Sequence, residues 1–160
     1  MSKMVKLGSS VKDSVTGLNG AVTHMMVQSN GSRWYCFQPK GLNPEDGQPL
    51  KHIWVTPDRI TGEMVNEPDL PVHVLGTEVI DVASGFKGTA IAITLHISGC
   101  VHVEVAPKGT QKKNGQVIDP CDFDIRRLSG KAIPEMTAEE RERDQVKKPS
   151  PCDTPKMFRE

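Results

Sequence analysis

Apolar and polar residues alternate along this chain with the period of a β-strand, and the pattern occurs twice. Ile91, Ile93, Leu95 and Ile97 point one way, as do Val101, Val103 and Val105, because successive side chains leave a strand on opposite faces. The residues 68 positions earlier are Thr23, Met25, Val27, Ser29, Arg33, Tyr35 and Phe37, and they follow the same phase less cleanly. The pattern predicts hairpins of strands 21–28 with 33–38 and 89–97 with 101–106, turning at Gly31 and Gly99. A short extended piece, "SSVKD" or "TEVID", precedes each hairpin and turns at Gly17 or Gly85; a last strand follows at 53–55 or 121–123. The predicted core face therefore carries Thr23, Met25, Val27, Ser29, Arg33, Tyr35 and Phe37 in one half, and the isoleucines, Leu95 and valines in the other.

Sliding the chain against itself by 68 residues, without a gap, shows why the pattern recurs. Leu7, Gly8, Val11, Asp13, Gly17 and Gly20 fall on Leu75, Gly76, Val79, Asp81, Gly85 and Gly88, and the matches continue to Arg59 on Arg127, 13 identities in 54 positions. Chance pairing would give roughly three. Residues 7–60 and 75–128 are thus tandem copies of one β-unit. Short strands at this density predict an all-β chain of two small, strongly bent SH3-like barrels. The expected division is 1–62 and 75–130 for the barrels, with 63–74 as a stiff, proline-containing linker.

The copies differ most on the face opposite the predicted core. Copy one places His24, Met26, Trp34, Cys36 and Trp54 there, where copy two has Ala92, Thr94, His102, Glu104 and Asp122. Contiguous apolar surface marks interaction, so Trp34, Trp54, Met26 and Cys36 are the candidate partner-binding residues, unless the rest of the chain covers them. Beyond residue 130, "TAEERERDQVKK" opens with a capping box, Thr137 and Glu140, and predicts a short solvated helix. A proline-rich arm follows, whose Met157 and Phe158 could dock on a neighbouring subunit or on the chain's own barrel.

Composition narrows the function classes. Basic and acidic residues balance at 20 each, so no global field favours nucleic acid or an anionic membrane. No stretch is long and apolar enough to span a membrane, and the first residues lack the apolar core of a signal peptide, which predicts a soluble chain made in the cytosol. The four cysteines, Cys36, Cys100, Cys121 and Cys152, lack metal-site spacing and read as free thiols, with a later disulfide as the alternative. The five histidines, His24, His52, His73, His96 and His102, are scattered, and no nucleophile elbow, phosphate loop or metal signature accompanies them. No cofactor or metal is expected, and no catalytic residue is assigned. Asp13 and Asp81, each before a turn, read as turn caps that pair with Arg59 and Arg127.

The pattern "LGSSVKDSVTGLNGAVT", with "GSRWYCFQPK" and "WVTPDRI", resembles a group of small bacteriophage proteins with LG-x-x-V-x-D-x-x-T-G-x-x-G repeats. Copy two keeps the start, "LGTEVIDVASGFKG", but has Asp122 in place of the tryptophan. The resemblance implies a phage origin. With the balanced charge and the tandem barrels it predicts a non-enzymatic virion protein, a capsid decoration, neck or tail component. Its partners would be other virion proteins or copies of itself, and Cys36 and Cys152 would be the candidates for an intersubunit disulfide once particles meet an oxidising exterior. The alternative is a small intracellular module that captures a host protein, RNA or a nucleotide signal.

Overall fold

The computed structural model describes residues 2–109 and 113–133. Thr137, Glu140, Cys152, Met157 and Phe158, and with them the expected helix and arm, lie outside the described residues. The chain divides into unit 1, Met1–Val72 with Thr94–Ile97, and unit 2, His73–Ile93 with the chain from Ser98 onward.

Among the described residues the regular structure of both units is mostly antiparallel strand, with short 3-10 turns. Unit 1 holds β1 (Lys3–Val5), β2 (Ser10–Asp13), β3 (Asn19–Gln28), β4 (Arg33–Pro39), β5 (Ile53–Val55), β6 (Ile60–Thr61) and β7 (Met64–Asn66). Unit 2 holds β8 (Glu78–Asp81), most of β9 (Lys87–His96), β10 (Val101–Ala106), β11 (Cys121–Asp124) and β12 (Leu128–Ser129). The sheet of unit 1 runs β5-β4-β3-β2-β6. That of unit 2 runs β11-β10-β9-β8-β12. The two orders are the same once the 68-residue offset is applied, so the duplication read in the sequence is a duplication of topology. Among the described residues the outer strands of each sheet do not pair with each other, so neither sheet is closed.

Two repeated glycines explain part of this geometry. At Gly20 an added Cβ would stand 2.1 Å from the Gln38 carbonyl oxygen, and at Gly88 it would stand 2.3 Å from that of Ala106. The backbones of the hairpin strands therefore approach at one point where no side chain fits.

The expected phase of the long strands holds only in part. In β3 the register to β4 slips between Val22 and His24, a bulge, and Val22, Met25 and Val27 are buried. Thr23 is thereby half-buried beside the core, and Ser29 and Arg33, at the hairpin end, lie outside it. In β9 the buried residues are Ala90, Ala92 and Ile93, whereas Ile91 and Leu95 are half-buried and Ile97 is exposed. Ala90 and Ile93 are the counterparts of Val22 and Met25, so the same phase slip recurs. One extra residue on a bulged strand moves everything before it to the other face.

The core of unit 2 gathers Val74, Val79, Ala90, Ile93, Val103, Val105 and Leu128. In unit 1 the buried apolar residues include Met4, Val5, Val11, Tyr35, Phe37, Val55, Ile60 and Leu70. Residues 63–74, expected as a linker, contribute more than a connection. β7 pairs with β1 in a two-stranded sheet, Met4 opposite Val65. The Val5 N–H donates to the Tyr35 hydroxyl at 3.0 Å, and Arg33 grips Glu67 through two bonds of 3.1 and 2.8 Å. Arg33, expected on the core face, instead directs its guanidinium to Glu67.

Candidate functional site

The polar residues shared by the two copies build one device, made twice. Asp13 ends β2, its carbonyl accepts from Gly17 N–H at 2.8 Å, and its N–H donates to Leu18 O at 3.0 Å. Gly17 takes a positive φ of 74°, which closes the turn without strain. The Asp13 carboxylate accepts from the Thr16 N–H at 3.2 Å and from the Thr16 hydroxyl at 2.5 Å. Arg59 completes the shell, donating through Nε and Nη2 at 3.0 and 2.8 Å. Unit 2 repeats the arrangement: Asp81 accepts from Ser84 N–H at 3.0 Å, from the Ser84 hydroxyl, and from Arg127 at 3.0 and 2.7 Å. A 3-10 turn delivers the arginine in each case, Pro57–Arg59 and Ile125–Arg127. Proline starts the first turn, and the Asp124 side chain caps the second by accepting from Arg126 N–H.

Both aspartates are fully buried. The Arg59 guanidinium holds the Asp13 carboxyl far below the usual carboxylate range, against burial, which works to raise it. For Asp81 burial is the larger influence and acts upward, but Arg127, Ser84 and the turn N–H groups together hold the carboxyl low. Each carboxylate is thus held in its charged form through the ordinary carboxylate range and is surrounded by donors. The pairing of Asp13 with Arg59 and of Asp81 with Arg127, expected from the repeat, is present, and it locks the turn to the end of the sheet.

The face that diverges between copies brings the expected partner-binding residues of the sheet together. In unit 1, β3, β4 and β5 bring His24 opposite Cys36 and Cys36 opposite Trp54, with Met26 opposite Trp34. The structure therefore assembles all five residues that the overlay placed together. Their exposure differs from expectation. Trp54, on the outer strand β5, is 41% exposed, whereas Trp34 and Met26 are half-buried. The His24 ring lies 6.1 Å from that of Trp54 and 4.1 Å from that of His96. The Trp34 indole nitrogen is buried and has no hydrogen-bond partner among the described residues.

Cys36 corrects the sequence reading most. It does point away from Tyr35 and Phe37, but it is only 3% exposed, because His24 and Trp54 flank it on the adjacent strands. Burial pushes its thiol up, with Thr23 acting weakly the other way. A thiol that is buried and protonated is a poor disulfide partner, so the expected role of Cys36 in an intersubunit disulfide is not supported by its position. Cys36 and Cys121 are free thiols and Cys100 is in a disulfide; the expectation of free thiols fails at Cys100.

In unit 2 the corresponding positions carry His102, whose Nδ1 lies 2.8 Å from Asp122 Oδ2, and Glu104, directly opposite Asp122 across β10 and β11. Around the turn of the second hairpin, Cys100 is in its disulfide, His102 meets Asp122, and the His96 ring meets His24. Among the described residues no group of three or more His, Cys, Asp or Glu side chains could hold a metal ion. A groove of about 610 Å³ runs beside β8 and β12, lined by Ile80, Lys87, Ser129 and Lys131 among others. No sequence signal pointed to it, since its lining mixes Val79, Ile80 and Ala132 with polar and charged residues in no motif. Nor did spacing reveal Arg33 with Glu67 across 34 residues.

Among the described residues no helix is long and apolar enough to cross a membrane. No family model matches the chain, and no curated protein and no solved structure matches it.

Proposed function

We propose that the chain is a non-enzymatic bacteriophage virion protein, a capsid decoration, neck or tail component, whose units are SH3-like barrels assembling by protein-protein contact. The observation that carries this reading is the outward row of unit 1. There His24, Cys36 and Trp54 lie side by side on three adjacent strands, and the tryptophan is left 41% exposed at the sheet's edge. A tryptophan in that position supplies large, rigid contact area to a partner at low entropic cost. The repeat signature supports the same reading from another side. Its aspartate, threonine or serine, glycines and arginine are all consumed in holding the turn and sheet, which suits rigid modules used as building blocks.

Mass spectrometry of purified virions tests the proposal. A structural component is found at a copy number comparable with other particle proteins. If the chain is abundant in infected cells but missing from particles, the virion reading is wrong, and the same face becomes the place to look for a captured host protein, RNA or nucleotide signal.

A further inference from the structure

We propose that Glu104 and Asp122, with His102 against Asp122, form a proton-binding patch, a charge switch on unit 2 in which acidification removes the repulsion between two facing carboxylates. The inference does not rest on the virion reading. It begins from the duplication: the counterparts of these residues in unit 1 are Trp34, Cys36 and Trp54, so the same three backbone positions are apolar in one copy and ionisable in the other.

The geometry couples the three groups. Glu104 and Asp122 are direct cross-strand partners, as Cys36 and Trp54 are in unit 1. Side chains at such positions meet, and like charges facing each other there are destabilising. His102 relieves one of them by its contact of 2.8 Å with Asp122, in which the imidazole itself is mostly buried, at 13% exposed. Glu104 is half-buried. Burial first, and the facing Asp122 second, push its carboxyl above the usual range.

The surrounding charges have partners of their own. On β11, Asp124 is held by Arg126, and Cys121 stands opposite Val105. On the 3-10 turn beyond it, Arg127 holds Asp81 and lies over the Phe123 ring. On β9, Lys87 holds Glu78, and the His96 ring meets His24. A proton from solvent taken up by the Glu104 carboxylate therefore removes the repulsion across the strand pair.

The sign of the stability effect follows. A carboxyl raised in the folded state binds its proton where the unfolded chain does not. Its stabilising contribution is complete below the ordinary glutamate value and is lost as pH rises through the folded value.

Carbon-detected NMR titration of the full chain tests the switch. The Glu104 carboxyl is expected to titrate above the range of glutamate in an unstructured peptide, and Asp122→Asn should move it downward. Thermal unfolding across pH gives a second readout: wild type gains stability as pH falls through the Glu104 titration, and Glu104→Gln lacks that gain. The proposal is overturned if Glu104 titrates like a free glutamate, if Asp122→Asn leaves it unmoved, or if Glu104→Gln keeps the wild-type pH profile.

Discussion

At the scale of single residues, the two buried aspartates matter most for stability. Breaking a buried, donor-saturated ion pair from one side leaves its donors stranded, whereas the intact pair contributes little beyond its own desolvation. Asp13→Ala and Asp81→Ala should each destabilise the chain by about 2–4 kcal/mol, a cost read by urea unfolding. Because the folded carboxyls are lowered, their contribution is present above the ordinary carboxylate range and is lost as pH falls below it. Wild type should therefore weaken in acid, and the difference between wild type and either alanine variant should shrink there; a gap that stays constant down to strong acid would contradict this. These pairs were legible in the sequence because the duplication put the same aspartate and arginine at one spacing in both copies. Cys36 was not fully legible: alternation gave its direction, but its burial comes from His24 and Trp54, which approach it only through strand pairing.

At the scale of elements, the hairpins show what alternation can and cannot read. Strand positions, turn glycines and the order of pairing follow from local pattern, because each depends on neighbours in sequence or on a residue with special backbone freedom. The bulge in β3 depends instead on how β3 meets β4, and a period-two pattern assigns Thr23 and Ile91 to the core by assuming an unbroken strand. β7 escaped for a similar reason, since its partner β1 lies at the other end of unit 1. The repeated glycines separate two physical demands. Gly17 has a positive φ and nothing within 4 Å of an added Cβ, so Gly17→Ala should cost about 1–2 kcal/mol of backbone strain alone. At Gly20 and Gly88 the added atom would collide with backbone carbonyl oxygens. Gly20→Ala and Gly88→Ala should therefore cost more than Gly17→Ala, and hydrogen exchange should show the hairpin amides losing protection. Equal costs at Gly17 and Gly20 would mean that the close approach is readily relaxed.

At the scale of the whole molecule, duplication has kept the parts that fold and released the parts that face outward. The Asp-Arg lock, the tight turn and the close-approach glycine recur in both copies, while Trp34, Cys36 and Trp54 have as counterparts His102, Glu104 and Asp122. A residue whose main role is contact with a partner should be nearly silent in the isolated chain and decisive in the assembly. Trp54 comes nearest to that description: it sits on an edge strand and is 41% exposed, although part of its ring covers Cys36. Trp54→Ser should lower folding stability by about 1–2 kcal/mol, the share of the indole that packs over Cys36, well short of the loss of a core tryptophan. If the chain is the virion component proposed above, the variant should be incorporated into particles far less, and Trp54 in particles should be protected from hydroxyl-radical oxidation relative to the free protein. If the variant assembles normally and Trp54 oxidises equally in both settings, the contact lies elsewhere. If instead the isolated variant unfolds at a much lower denaturant concentration, Trp54 is part of the fold and the outward row of unit 1 loses its claim as the partner-binding face.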